Sequence, residues 1–514
     1  MRKKSLFLVL AALFWIWVFW LSKFSPSESE LLLRYAGWSK YSAANLPGNF
    51  LKELPFPLPT AMLSFFSWVI PTDVFIFRLP NLVLGLGWIT AMLIISPASF
   101  GVLAATSFGV LWTIMNDFPE GLTLLLSALI LVTDIKHNNE KKKVIWLAFL
   151  NLWLVMTSFS GWIFGMVFMG FKLLTGDKKT FWVLLAVVGY GYLAAARGYF
   201  GLIGFESPIT IKSDLGSQVD QRVRLETTIN NYQEPVPLVI KRLVYNKPYF
   251  AFRKIQSGLG RLFSFEKFAY PGQGDATVTR SLWGSKGLAW IYYWQIGISF
   301  AALFYWRKTD RITKRLVIIY FVWGVLSASV GNITDWLTNS MGLFISVLLL
   351  NAIFIDNSTI KVKILILFLL ITSLIPSVFH LIYHEEVWRD NRPKVYLTMA
   401  KMATKHQADQ VSTLLGRPFL YYGWINKIPP DKFWQGVEVG MKINKVKFDH
   451  FEKPINKGVY VGLPGEFVGS KSKDGKNNFE VSELPEGWQV LDIEKITDTV
   501  SYGNGDYVWT VEVN

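Results

Sequence analysis

Residues 120–135, EGLTLLLSALILVTDI, and residues 144–160, VIWLAFLNLWLVMTSFS, flank the basic segment KHNNEKKK at 136–143. Each apolar stretch, at about 1.5 Å per helical residue, comes close to the thickness of a bilayer core. Lysines gather between transmembrane helices on the cytoplasmic side. The pattern therefore predicts a helical hairpin whose turn lies in the cytoplasm.

The rest of the chain repeats this pattern. Of its 514 residues 52% are hydrophobic and only 17% are charged, against about 25% charged in ordinary soluble domains. A polytopic, mainly α membrane protein is predicted, which excludes disordered, collagen-like and purely cytosolic classes. The absence of Cys excludes disulfide frameworks and thiolate metal sites. We expect about 11 transmembrane helices, near 5–22, 78–96, 98–115, 120–135, 144–160, 162–174, 180–197, 287–306, 315–335, 338–355 and 362–382.

Positive charge sets the predicted orientation. Every second short connection is basic, while the short connections between them carry no Lys or Arg. By the positive-inside rule the N-terminus is cytoplasmic and the protein lies in the plasma membrane. The Pro-flanked stretch 57–71 is predicted to lie in the interface, which leaves 23–77 and 198–286 as outer loops. The basic connections are 136–143, 178–179, 307–315 and 361–363.

The chain divides into two predicted domains near His384. Residues 1–384 hold 35 Lys/Arg and 19 Asp/Glu, whereas 385–514 hold 17 and 18, so the excess of positive charge belongs to the membrane part. After a helical stretch near 394–414, strand-like stretches occur at 459–464, 478–484 and 506–513. An extracytoplasmic α/β domain is predicted for 385–514.

The acidic residues of the outer face are candidates for chemistry. They lie at or beyond the ends of the predicted spans, whereas transporters place ionisable groups near the bilayer midplane. This placement favours chemistry at the membrane surface, with ordinary solvated acids and helix caps as the alternatives. The candidates are Glu28, Glu30, Asp117, Glu120 and Asp275.

The candidate cation is Arg78, at the outer mouth of the second span. It could bind a lipid-linked phosphate, or it could extend to ordinary lipid phosphate. His380 and His384 are four residues apart at a helix end, where interfacial histidines are common, and no metal site is predicted from them. No nucleotide-binding fingerprint is present, and the outward placement of the basic residues 241–267 argues against a nucleic-acid partner.

Several motifs together resemble a known family. Glu28 stands eight residues before Ala36, and Phe77-Arg78-Leu79-Pro80-Asn81 opens a span. With the stretches 244–275 and 458–467, they make the chain similar to the GT-C membrane glycosyltransferases. Within these it looks most like the dolichyl-phosphate-mannose protein mannosyltransferase and aminoarabinose transferase type, including bacterial glycosyltransferase family 39.

The resemblance implies an activity. Enzymes of this type take a sugar from a polyprenyl-phosphate carrier on the outer face, with inversion, using the first Asp of an Asp-Glu pair as base. Glu28 matches that Asp and Ser29 matches the second acid, so Glu30 is an alternative base. Asp117 or Glu120 matches a further family acid. The lipid-linked sugar is a substrate, no cofactor is predicted, a divalent metal is neither required nor excluded, and the acceptor is left open among protein, lipid and polysaccharide.

Two other classes of function are compatible with the sequence. A membrane transporter or lipid flippase, gated by the outer domain, predicts a polar path across the midplane, where only scattered residues such as Asn151 occur. An inactive relative that serves as a scaffold would bind the donor without turnover.

Overall fold

The structure is a computed structural model of the chain. It describes residues 8–17, 31, 62, 74–107, 110, 114, 118–137, 139–196, 220–221, 256, 291–330, 340–383, 392–413, 417–451, 458–462, 496–501 and 507–513. Contacts between Cα atoms divide the chain into two compact units, the first including Leu79–Tyr383 and the second including His384–Asn514. Each unit is described by itself.

The first unit is helical, and each of the eleven apolar windows contains a helix among the described residues. Two of the helices, Phe118–Lys136 and Arg311–Val330, contain stretches long and apolar enough to cross a membrane. The helices are α1 Leu8–Trp17, α2 Val74–Ile95, α3 Ala98–Thr106, α4 Phe118–Lys136, α5 Glu140–Val155, α6 Phe159–Leu174, α7 Lys178–Ala196, α8 Tyr293–Ala302, α9 Arg311–Val330, α10 Met341–Asn357 and α11 Ile360–Tyr383. A 3₁₀ segment, Leu303–Lys308, follows α8 directly.

Polar side chains in the short connections start the helices. Asn139 accepts a hydrogen bond from the backbone N–H of Lys142 and so caps α5. Asp177 accepts from Thr180 N at the start of α7, and Asp310 accepts from Thr313 N at the start of α9. Because the first turn of a helix has no internal acceptor for its N–H groups, these residues determine where each helix begins.

The surface of the first unit is apolar in many places. Leu174 and Phe304 are 87% and 89% exposed, and Ile145, Trp182 and Phe368 are each more than 60% exposed. Among the described residues of the second unit, Val439 is the only large apolar side chain with comparable exposure. A soluble protein rarely exposes apolar surface on this scale, so a lipid environment accounts for it better.

A buried aspartate joins several helices at one end of this unit. Asp134, whose side chain is 1% exposed, forms ion pairs with Lys172 and Arg315 and a longer one with Lys143 at 3.4 Å. Lys172 also pairs with Asp177 at 3.1 Å. These contacts bring the α4–α5 and α6–α7 connections together with the start of α9. We call this the basic end.

The closest helix contact lies between α9 and α10. A Cβ atom at Gly342 would lie 2.6 Å from the backbone nitrogen of Gly324 and 2.6 Å from the carbonyl oxygen of Tyr320. The two backbones therefore touch where both helices carry glycine, a common arrangement in membrane helix pairs. Beside this crossing, Tyr320, Trp323 and Phe164 form a buried aromatic cluster with ring centroids 5.2–6.1 Å apart.

The second unit contains three helices and a six-stranded mixed sheet. The helices are α12 Arg392–Lys405, α13 Pro418–Ile425 and α14 Pro430–Glu438. The strands are β1 Gln410–Val411, β2 Lys442–Ile443, β3 Val446–Phe448, β4 Gly458–Gly462, β5 Ile496–Ser501 and β6 Tyr507–Val513, in the order β2-β3-β1-β4-β6-β5. β1 runs parallel to β3 and β4, and the other neighbours are antiparallel.

Two of the predicted strand-like stretches become neighbours in this sheet. β4 and β6 fall within 458–513 and pair from Gly458 opposite Val513 to Gly462 opposite Trp509. The predicted strand at 478–484 and most of the interfacial stretch 57–71 lie outside the described residues. The helix predicted near 394–414 ends at Lys405, because residues 410–411 are taken into the sheet as β1.

We predict that Gly342→Ala destabilises the first unit. The added methyl group would press on two backbone atoms that cannot move unless α9 and α10 separate, and overpacking of this kind costs about 1 to 3 kcal/mol. The apparent melting temperature of the purified protein in detergent should fall. The matched variant is Gly297→Ala in α8, where a Cβ meets nothing within 4 Å; its melting temperature should stay the same or rise. Equal effects of the two variants would contradict the close contact.

A second prediction concerns the ion pairs of the basic end. Asp134→Asn leaves Lys172 and Arg315 without their shared counter-ion, and loss of one partner of a buried pair costs about 3 to 5 kcal/mol. Asp177→Asn serves as the graded control, since the Asp177 side chain is 29% exposed and contributes only one of the contacts of Lys172. Thermal unfolding in detergent should show a clearly larger loss for Asp134→Asn. The reverse order would contradict a central role for Asp134.

Candidate functional site

Hydrogen bonds gather the opposite ends of the same helices. Thr123 in the first turns of α4 lies 2.7 Å from Ser158, hydroxyl to hydroxyl. Ser158 caps α6 by accepting from the N–H of Gly161 at 3.0 Å. The indole of Trp323 on α9 donates to the carbonyl of Ser160 at 2.8 Å. We call this region, where α4 and α6 begin and α9 approaches its last turns, the polar end.

Glu120 is the predicted site residue that the structure describes most fully. It lies in the first turn of α4 and is buried, with 6% of its surface exposed. A buried carboxylate is costly unless other groups compensate its charge, and the N-terminus of a helix is one such environment. Glu120 therefore lies where the helix-capping interpretation placed it, in an enclosed environment that also suits a functional carboxylate.

Helix α2 packs beside Glu120 and carries the predicted cation. A Cβ atom at Gly121 would lie 3.8 Å from Cδ1 of Leu84, so α2 and the start of α4 are in contact there. One turn before Leu84, Asn81 is 2% exposed. Arg78 lies in α2 three residues before Asn81; its helical backbone is described and its side chain is not. The fold thus brings the helix of Arg78 to the first turn of the helix of Glu120.

The other predicted site residues lie outside the part of the chain that the structure describes. They are Glu28, Glu30, Asp117 and Asp275. Of the two spaced histidines, His380 belongs to α11 through its backbone alone and His384 lies outside the described residues. Within the described ranges, no group of three or more His, Cys, Asp or Glu side chains is placed to hold a metal ion.

Sequence reasoning missed the neutral polar residues of this end. Asn81, Thr123 and Ser158 are each at most 5% exposed. For Ser158 a signal existed, because a serine before Phe-Ser-Gly at a helix start is a typical cap. For Asn81 and Thr123 there was none: both lie inside apolar windows, and only the packing of α2 against α4 and of α4 against α6 shows that they share one end.

Comparison with known proteins gives two matches of low similarity. No protein-family model and no curated protein matches the chain. Among solved structures, ArnT from Cupriavidus metallidurans in the apo state is 11% identical with a TM-score of 0.39, covering 90% of this chain and 93% of that chain. The same protein bound to undecaprenyl phosphate is 10% identical with a TM-score of 0.39, covering 98% and 97%.

ArnT is an aminoarabinose transferase of the GT-C type, the type to which the sequence motifs point. At a TM-score of 0.39 the likeness assigns neither a fold nor an activity to this chain.

We predict that Ser158→Ala loosens the polar end. The change removes both the cap of α6 and the contact with Thr123, and loss of a serine cap alone costs about 0.5 to 2 kcal/mol. Thr123→Val removes only the side-chain contact and should cost about 1 kcal/mol. Thermal unfolding of both variants and of the double variant measures the coupling. Additive losses would contradict a direct bond between the two hydroxyls.

Proposed function

We propose that the protein transfers a sugar from a polyprenyl-phosphate donor to an acceptor on the outer face of the plasma membrane, with inversion at the anomeric carbon. The observation that carries the proposal is the position of Glu120: a buried carboxylate at the polar end, on a helix in contact with the helix of Arg78. A site of this kind offers a cation for the lipid-linked phosphate and a carboxylate for the sugar or the acceptor.

The proposed topology places the basic end in the cytoplasm and the polar end outside. The basic connections hold the Lys and Arg that the positive-inside rule assigns to the cytoplasm. The ion pairs of Asp134 join two of these connections with the start of α9, as this topology requires. Residues 1–384 form the transmembrane transferase domain in this proposal, with eleven spans, and residues 385–514 form the extracytoplasmic α/β domain.

The proposed reaction is a single displacement. Glu28, or alternatively Glu30, removes the proton from an acceptor hydroxyl, and the oxygen attacks the anomeric carbon. The bond between this carbon and the phosphate oxygen breaks, so that the polyprenyl phosphate leaves with the electron pair. Charge-assisted hydrogen bonds from Arg78 would stabilise the negative charge that develops there.

The other acids have supporting roles in this proposal. Glu120, or alternatively Asp117, positions the acceptor or the sugar. Asp275 belongs to the outer loop 198–286, which would close over the site. The buried environment of Glu120 supports a positioning role, because a carboxylate shielded from water holds a hydrogen-bonded hydroxyl more firmly than an exposed one.

The transporter or flippase alternative is not favoured by the described helices. Between the polar end and the basic end, the buried faces of α4 and α9 carry apolar side chains such as Leu131, Leu316 and Ile319. A polar path across the midplane would need a series of polar groups along these faces.

We predict a graded loss of sugar transfer in four variants of the purified enzyme. Removing the base, by Glu28→Gln or Glu30→Gln, should lower the rate about 10²- to 10⁴-fold. Arg78→Ala should lower it about 10²- to 10³-fold through loss of leaving-group stabilisation. Glu120→Gln should raise the KM for the acceptor with a smaller effect on kcat. The assay follows release of polyprenyl phosphate from synthetic polyprenyl-phosphate hexoses and pentoses.

The control is Glu140→Gln, which alters a 76% exposed acid at the basic end and should leave the rate unchanged. Full activity in the Glu28→Gln, Glu30→Gln and double variants would exclude both residues as the base. A wild-type protein that transports the lipid but releases no polyprenyl phosphate would contradict the transferase proposal.

A further inference from the structure

A cavity of about 420 Å³ lies at the basic end, away from the polar end. It lies among the turn between α2 and α3, the end of α4, the segment before α9 and the end of α10. Its volume is within the range of small-molecule sites, which is about 300 to 1,000 Å³. Its lining includes Lys136, Lys308, Asp310 and Asp356. The proposed sugar transfer uses none of these residues.

The charged groups of this cavity differ in their availability. Asp310 is engaged, since its carboxylate accepts from Thr313 N at 2.9 Å and from Thr313 Oγ1 at 2.6 Å. Partial burial opposes ionisation of Asp310, but these hydrogen bonds outweigh it and hold its pKa below the ordinary value. Within the described residues, by contrast, no ion pair or hydrogen bond engages the side chains of Lys136, Lys308 or Asp356. Two cations and one carboxylate are therefore available to a ligand.

The wall of the cavity continues into the apolar surface of the first unit. Ile94 and Ile312 line the cavity and are also 49% and 38% exposed. Phe304 and Leu303, in the 3₁₀ segment that leads to Lys308, are 89% and 54% exposed. A ligand with charged atoms in the cavity could thus extend an apolar chain along lipid-facing side chains without covering a charge.

We propose that this cavity binds the headgroup of an amine-bearing phospholipid of the cytoplasmic leaflet. The phosphate would lie with Lys136 and Lys308, and the primary ammonium would lie with Asp356. Two cations and one carboxylate match a headgroup that carries one phosphate and one ammonium. A purely anionic headgroup would leave the carboxylate unpaired, and a quaternary ammonium has no N–H to donate to it.

The expected consequence is lipid-dependent stability of the basic end. The cavity joins four chain segments that are distant in sequence, so a bound headgroup would hold them together. Ser99 on α3 already donates a hydrogen bond to the carbonyl of Ala352 on α10 at 3.2 Å, close to the same place. A ligand that binds only the folded state stabilises it by mass action.

The test measures lipid retention by native mass spectrometry of the full-length protein, after equilibration with equal amounts of phosphatidylethanolamine, phosphatidylglycerol and phosphatidylcholine. We expect the wild type to retain phosphatidylethanolamine preferentially. Combined Lys136→Gln and Lys308→Gln should lower this retention about tenfold or more, because two charge-assisted hydrogen bonds are lost. Asp356→Asn should abolish the preference over phosphatidylglycerol. Lys179→Gln, an exposed lysine of another basic connection, should leave both quantities unchanged.

Three outcomes would overturn the proposal. They are equal retention of the three lipids by the wild type, the same loss in Lys179→Gln as in the double variant, and displacement of the lipid by inorganic phosphate or free phosphoethanolamine at comparable concentration. The last outcome would mean that the site takes a soluble phosphate. If the double variant does not fold, the change of preference in Asp356→Asn decides. Sugar transfer does not enter this readout, so failure of the proposed activity is distinguishable.

Discussion

The described part of the first unit depends on one buried carboxylate. Asp134 lies at the end of a long apolar helix with a side chain that is 1% exposed, and its charge is balanced by Lys172, Arg315 and Lys143. A carboxylate in such surroundings is unfavourable unless cations and hydrogen bonds replace water. The replacement comes from three other helices, so the position of α4 fixes the positions of α5, α6 and α9 at the basic end.

Two further constraints act on the same helices. The glycines at the crossing of α9 and α10 let two backbones touch, which no larger residue would allow. Arg315 lies over the ring of Phe171 at 4.3 Å, so the cation of the buried pair is also held by an aromatic face. Close packing inside and apolar side chains outside are what a bilayer requires, because lipid offers neither hydrogen bonds nor hydration to a misplaced polar group.

Opposite functions suit the two ends of these helices. The basic end combines cations that anchor the protein in its orientation with a cavity for a zwitterionic headgroup. The polar end carries hydroxyls, an amide and Glu120, all largely shielded from water. Since α4 runs from Glu120 to Asp134, the helix whose end is fixed by ion pairs also presents the candidate carboxylate. Rigid support of this kind lets a side chain keep a productive geometry.

Much of this organisation follows from the amino-acid sequence alone. Apolar windows gave the places of all eleven described helices of the first unit, because burial in lipid needs long apolar segments. Alternation of basic connections predicted which helix ends share a side, and the carboxylates at the span ends pointed to Glu120. The stretches that became β4 and β6 showed their strand character locally. These are properties of neighbouring residues, and a linear pattern contains them.

The tertiary structure decided which distant residues meet. The ion pairs of Asp134 with Lys172 and Arg315 join positions 38 and 181 residues apart, and the bond between Thr123 and Ser158 joins positions 35 apart. Nothing in the local pattern of Thr123 or Asn81 separates a lipid-facing residue from a buried one. Packing makes that distinction, because the cost of an unpaired polar group in an apolar interior is removed only by a partner that folding brings to it.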